Sequence, residues 1–326
     1  MKKDVVKLKQ LISKFSGAKI LVIGDLILDE FIWGKVERIS PEAPVPVVWV
    51  ESESFMPGGA SNVANNIAAL SGKVYLSGII GNDKSADILT AELKKRGIDL
   101  GGVIVDGERP TTLKTRIIAH HQQVVRVDRE RIMPIEDNLC DQILSFVRQK
   151  IDDIDALVIE DYGKGLITAR LLTEIIPLAK RHKKVITVDP KIDHFSYYKG
   201  ITSITPNRQE AEGISGIRIK TDADIDRAGK KILKELESES VLLTLGEDGM
   251  QLFTKDGRIT HIPTLAQEVF DVSGAGDTVI AAFTLALSCG AKMSEAAHIA
   301  NYAAGIVVGK VGVAAVTKEE LLERIK

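Results

Sequence analysis

The chain has 326 residues, 44% of them hydrophobic and 27% charged, a balance that fills a sizeable core and suits one large α/β domain or two modest ones. A formal net charge of -2 excludes the global basic field of a nucleic-acid binder. No run of about eighteen apolar residues is free of charge, so no membrane span is expected.

Taken in chain order, residues 1–12 open like a basic leader, but Lys7, Lys9 and Gln10 interrupt the apolar residues. That spacing favours an amphipathic helix over a signal peptide, and the cytoplasm is the expected location. Strand-length apolar runs follow at 19–23, 74–80, 156–159, 185–188, 203–205 and 241–245. Helical periodicity falls between them, at 85–96, 135–148, 169–181, 223–236 and 277–288. The alternation predicts a mainly parallel sheet with helices on both faces. Two stretches break the rhythm: the Pro-rich 31–55, and 103–127, which reads as a hairpin over 111–119 and 123–127. Together they predict a small β-sheet appendage on a single domain spanning 1–326, serving as a lid, a dimer interface or a plain edge extension. Cys140 and Cys289 lie far apart and read as packed thiols of a reducing compartment. The tandem His120-His121 has no carboxylate or cysteine beside it and reads as an exposed turn.

The chemistry concentrates in Asp271-Val272-Ser273-Gly274-Ala275-Gly276-Asp277, just before an apolar helix. Gly274 and Gly276, separated by one small residue, let backbone N–H groups converge on an anion, and the helix N-terminus adds partial positive charge. A pure phosphate nest gains nothing from the carboxylate of Asp277. A kinase does, because the acceptor hydroxyl loses a proton as it attacks the γ-phosphate. Taken alone, Asp277 is as good a helix cap as a base. Rival nucleotide loops fail on spacing: 78–85 has Asp83 where a P-loop needs its second glycine, and the helix start lacks the third glycine of a dinucleotide fingerprint.

The segment resembles the carboxy-terminal motif of the ribokinase-like (PfkB) carbohydrate kinases. Pro57-Gly58-Gly59-Ala60-Ser61-Asn62-Val63-Ala64 resembles their amino-terminal motif, and Asn207-Arg208-Gln209-Glu210 their NxxE pattern. The matches run in the family's order from Gly24 to about residue 310. Arg38-Ile39-Ser40-Pro41-Glu42-Ala43-Pro44-Val45-Pro46-Val47, Gln122-Gln123-Val124-Val125-Arg126-Val127-Asp128 and Glu160-Asp161-Tyr162-Gly163-Lys164-Gly165 look like the branch that phosphorylates D-glycero-D-manno-heptose 7-phosphate. The resemblance implies a three-layer α/β/α fold, a cytoplasmic homodimer joined through the β-lid, and ATP with Mg²⁺, and it leaves a monovalent cation open.

It also implies roles. Asp277 becomes the base for the anomeric hydroxyl, with the N–H groups of Ala275, Gly276 and Asp277 around the moving phosphoryl. Asn62 and Asp29 become sugar contacts beside the turn of Gly58 and Gly59, and Asp25 ends the first strand near them. Asn207 and Glu210 sit one helical turn apart, with Glu210 near Mg²⁺ through water; the same pair reads equally as helix capping. Thr244, Gly246 and Gly249 match the nucleotide-side turn, and Asn301 falls near the adenine. Lys114 and Arg116 alternate along one strand, so both cations share a face; with Gln123 they are candidates for a substrate phosphate. Lys164 and Lys191 end strand-like runs on the ligand side of the sheet and are placed to reach a phosphate. Asn65 and Asn66 read as amides that satisfy backbone groups. A non-catalytic sugar-binding regulator on the same scaffold and an NAD-dependent oxidoreductase are the readings from other classes; ADP release and nicotinamide nucleotide binding discriminate them.

Overall fold

In the computed structural model, residues 2–120, 122–265, 271–310 and 314–325 are described. The strands are β1 (Lys19–Gly24), β2 (Leu26–Ile39), β3 (Pro46–Gly59), β4 (Lys73–Ile80), β5 (Asp99–Val105), β6 (Thr112–Ala119), β7 (Gln122–Arg129), β8 (Ala156–Glu160), β9 (Val185–Asp189), β10 (Ser203–Ile204), β11 (Ser240–Thr244), β12 (Met250–Thr254) and β13 (Ile259–Ile262). The helices are α1 (Lys2–Ser13), α2 (Ala60–Ala69), α3 (Lys84–Lys95), α4 (Asp137–Lys150), α5 (Ala169–Arg181), α6 (Arg208–Ser215), α7 (Asp222–Leu236), α8 (Ala275–Ser288), α9 (Met293–Val307) and α10 (Lys318–Arg324).

One sheet runs in the order β13-β12-β11-β10-β9-β8-β1-β4-β5. It is parallel from β11 to β5, while β12 and β13 close its other edge in antiparallel fashion. Strand alternation divides the core in two. Ile20 and Val22 of β1 enter one buried cluster with α2, α8 and α9; Leu21 and Ile23 enter the other with α4, α5 and α7. Every one of these β1 side chains is fully buried, each stabilising the fold by roughly 1.5–3 kcal/mol. The layers form an α/β architecture with helices on both faces. After β1 the chain builds outward to β4 and β5, then crosses to β8 on the other side. This reversal opens a crevice at the carboxyl ends of β1 and β8, the usual ligand position in such sheets.

The second sheet, β3-β2-β6-β7, comprises two hairpins joined by parallel pairing of β2 with β6. It is larger than the expected appendage: β2 and β3 extend from 26 to 59, with the Pro-rich run making their turn. The expected start at 103 needs correction, since 103–105 complete β5 in the main sheet. Both edges of β1 are buried by neighbours, whereas this small sheet leaves Val50, Val125 and Val127 exposed. His120 is an exposed turn residue against the backbone of Val36, and His121 lies outside the described residues. Cys140 and Cys289 are free. Among the described residues no helix is long and apolar enough to cross a membrane.

Candidate active site

Gly274 caps α8 at φ 76°, in the left-handed region that only glycine enters freely. Thr278 N–H bonds to the Gly274 carbonyl at 3.1 Å and starts the helical ladder. Ala275 N–H turns back to the Val272 carbonyl at 3.2 Å, which corrects the expected set of three anion donors. Gly276 and Asp277 keep first-turn N–H groups with no carbonyl partner among the described residues.

Asp277 is buried at the crevice floor. Its Oδ2 accepts from the Asn62 amide at 2.6 Å, and its Oδ1 from the Tyr162 hydroxyl at 3.1 Å. Burial pushes Asp277 up to about 6, against the pull of these two donors. Asn66 donates to Oδ1 and to the backbone carbonyl of Asn62, which leaves the Asn62 amide nitrogen aimed at Asp277. Thr278 donates to Asn66 at 2.8 Å, so α2 and α8 are tied directly beneath the carboxylate. The reading of Asn66 as a buried structural amide agrees with this geometry.

A cavity of about 170 Å³ opens beside Asp277, lined by Asp29, Asn62, Lys114, Arg116, Tyr162 and Gly274 among others. The register sets Asp29 of β2 opposite Lys114 of β6, and Phe31 opposite Arg116, so all four share the face turned to the site. Arg116 forms an ion pair with Asp29 at 2.5 Å and lies over the Phe31 ring at 5.3 Å. The Lys114 ammonium stands 5.8 Å from the Tyr162 ring centre. Burial, then the nearby charge of Lys164, lowers Lys114 from its usual value. Lys164 itself pairs with Glu130 at 2.6 Å. Gly58 makes room for this arrangement: a β-carbon there would sit 2.4 Å from the Asp29 carboxylate. Gly59 lines the cavity directly.

Other sequence-selected residues stand elsewhere. Asp25 is buried, and its carboxylate accepts the backbone N–H groups of Tyr162, Lys164 and Leu166 at 3.0–3.2 Å. It therefore holds a loop and does not line the cavity of Asp29. Gln123 is exposed on β7 opposite Ile118, roughly 13 Å along the strand from the position of Lys114, and lies outside the cavity lining. Asn207 and Glu210 form a reciprocal capping box at the start of α6, with bonds of 2.9 and 2.8 Å. Capping uses one oxygen of the Glu210 carboxylate, whose charge also acts on Glu160 and Asp189. Thr244 ends β11, with its N–H on the Pro206 carbonyl and a bridge to Asn207. Gly246 and Gly249 bracket the next turn, and the buried Asn301 amide holds the Pro263 carbonyl at 2.8 Å. Lys191 is exposed after β9, its stem against Gly163. These residues flank the strand ends without lining the cavity of Asp277.

Sequence reading missed Tyr162 as a partner of Asp277, and also Glu160 and Asp189. The last two end β8 and β9, and with Asp277 they bring carboxylate oxygens within 4.8 Å of one another. Acidic residues closing consecutive parallel strands were the available signal. Both Glu160 oxygens are buried and receive no bond from a fixed donor among the described residues. Burial, then the charges of Asp189 and Asp277, holds Glu160 well above the usual carboxylate range. Asp189 is raised likewise, by burial and then by Glu210. Three converging carboxylates, of which Glu160 has no donor among the described residues, fit a hard divalent cation, which prefers oxygen ligands.

The chain resembles known proteins over nearly its whole length. Residues 18–320 match the model of the pfkB family carbohydrate kinases. A protein named bifunctional protein HldE from Geobacter metallireducens is 46% identical over 302 residues, covering 93% of this chain and 62% of that protein. A protein of the same name from Helicobacter pylori is 46% identical over 303 residues, covering 93% and 65%. This chain thus spans a little under two thirds of the length of these relatives. In fold, the Arabidopsis thaliana ribokinase complexed with ribose and ATP aligns at TM-score 0.76 and 19% identity, covering 95% of this chain and 99% of that one. Escherichia coli phosphofructokinase-2 in complex with substrates and products aligns at 0.77 and 18% identity, covering 94% and 98%. With the helix-capping glycine, the buried acid and the crevice at the strand ends in place, the chain belongs to the pfkB family of carbohydrate kinases, phosphotransferases acting on a sugar hydroxyl.

Proposed function

We propose that the chain transfers the γ-phosphoryl of ATP to the anomeric hydroxyl of D-glycero-D-manno-heptose 7-phosphate, with Asp277 as the base. The observation that carries this reading is one cavity holding a buried carboxylate at its floor and Lys114 and Arg116 at its wall. The acceptor hydroxyl gives its proton to Asp277, and the N–H groups of Gly276 and Asp277 meet the transferring phosphoryl. Lys114 and Arg116 take the distal phosphate; Arg116 does so by exchanging part of its pairing with Asp29 for the substrate's anion. Asp29 and Asn62 hold sugar hydroxyls. The branch-like phrases at 38–47 and 122–128, and relatives that bear the HldE name, support the heptose as acceptor.

Mg²⁺ would be held by Glu160 and Asp189 with Asp277 beside them. Bound there, it would neutralise negative charge on the transferring phosphate. Asn207, Thr244, Gly246, Gly249 and Asn301 remain on the nucleotide side of this reading, with Lys191 near the phosphates and a monovalent cation left to measurement. The same reading places the enzyme in the cytoplasm, as one kinase domain with the small sheet as its lid. A homodimer forms through that lid. Its support is apolar: Val125 and Val127, 45% and 52% exposed, share the lid face opposite Lys114 and Arg116.

Asp277→Asn tests the mechanism. Loss of a positioned base should lower kcat by roughly 10²–10⁴-fold while nucleotide affinity holds. Undiminished turnover by Asp277→Asn rules the assignment out.

A further inference from the structure

The segment Asp161-Tyr162-Gly163-Lys164-Gly165-Leu166 leaves β8 at the crevice and is held by two buried carboxylates. Asp25 takes the N–H groups of Tyr162, Lys164 and Leu166. Asp161 takes the Gly163 N–H at 2.9 Å on one oxygen, and on the other the Tyr198 hydroxyl at 2.5 Å and a His194 ring nitrogen at 2.6 Å. Four N–H groups within five residues thus end on acidic side chains. Burying two acids is costly unless their bonds are well made, and burial indeed raises Asp25 to about 6. A connection from strand to helix needs no such device. What the device fixes is the position of Tyr162.

Tyr162 stands between the two ends of the cavity. Its hydroxyl donates to Asp277 Oδ1 at 3.1 Å, and its ring faces the Lys114 ammonium at 5.8 Å. Asn62 holds the other oxygen of Asp277 from α2. Two donors from separate elements define the plane of the carboxylate, and orientation of this kind is what a base needs before an acceptor arrives. We propose that Tyr162 is a positioning residue for Asp277, and that Asp25, through the clamped 161–166 segment, sets where the Tyr162 hydroxyl stands. The inference rests on Asp277 acting as the base.

Tyr162→Phe removes the hydroxyl and keeps the ring. With ATP, Mg²⁺ and whichever of heptose 7-phosphate, fructose phosphates, ribose and adenosine is turned over fastest, kcat should fall roughly 10- to 100-fold, the range of one hydrogen bond to a charged group. KM for nucleotide and sugar should stay within about twofold. An unchanged kcat overturns the proposal. So does a raised sugar KM at constant kcat, which would make Tyr162 a substrate contact. Asp25→Asn should lower kcat in the same manner, and the Asp25→Asn/Tyr162→Phe double variant should match Tyr162→Phe alone, because Asp25 acts through the hydroxyl. Losses that multiply would sink the clamp. If Tyr162→Phe fails to fold, Asp25→Asn decides by the same split between kcat and KM. Asp277→Asn measured in parallel separates the two claims: normal turnover there removes the base, whereas an inactive Asp277→Asn beside a normal Tyr162→Phe removes only the role of Tyr162.

Discussion

At Glu160 the residue scale shows its sharpest conflict between stability and chemistry. The side chain is fully buried, lacks a fixed donor among the described residues, and faces two further carboxylates. Ionising Glu160 there is costly, which holds its carboxyl well above the usual range, and the proposed Mg²⁺ would offset that cost. Glu160→Gln should raise the Mg²⁺ concentration for half-maximal activity by roughly 10-fold or more, and should not lower the thermal midpoint measured without metal. Mg²⁺ dependence equal to that of the unaltered enzyme contradicts this. Asp277 and Gly274–Gly276 were legible in sequence because a glycine pair before a helix has few other uses. Glu160, Asp189 and Tyr162 were not, since what joins them to Asp277 is the parallel packing of β8, β9 and α8. Asp25 misled for the same reason: its place at the end of β1 looked like a sugar contact, and only the fold shows the loop that consumes its oxygens.

At the scale of elements, the predicted strands and helices of the main sheet match within a few residues, because near-continuous apolarity marks strands buried on both faces. The antiparallel edge of β12 and β13 escaped notice: β13 is short, with Ile259 exposed and His261 interrupting its pattern. The small second sheet was legible as a departure from the βα rhythm, but not in extent, as β2 continues almost directly from β1 across Asp25. The small sheet's apolar outer face bears on assembly. For the proposed dimer, Val125→Asp should shift the chain to monomer in sedimentation while the main-sheet fold keeps its circular dichroism. A Val125→Asp protein that sediments as the unaltered chain does, in either state, contradicts assembly through the lid. Burial of exposed valines gives roughly 1.5–3 kcal/mol per side chain, enough for two copies of this face to associate when several take part.

For the whole molecule, a sheet that reverses its strand order at β1 sets a buried acid at the base of a crevice, and a second sheet sets two cations over it. The first feature supports the kinase reading; in the proposed function the second carries the choice of acceptor. Lys114 and Arg116 matter to that choice because a substrate without a distal phosphate leaves the half-buried Lys114 without that anion and Arg116 with Asp29 alone. Substrate discrimination therefore tests the account most directly, by comparing kcat/KM for D-glycero-D-manno-heptose 7-phosphate with that for the same heptose lacking the phosphate, under saturating ATP and Mg²⁺. The account predicts a preference of roughly 100-fold or more for the phosphorylated sugar. Equal values, or a preference for the unphosphorylated heptose, would contradict it.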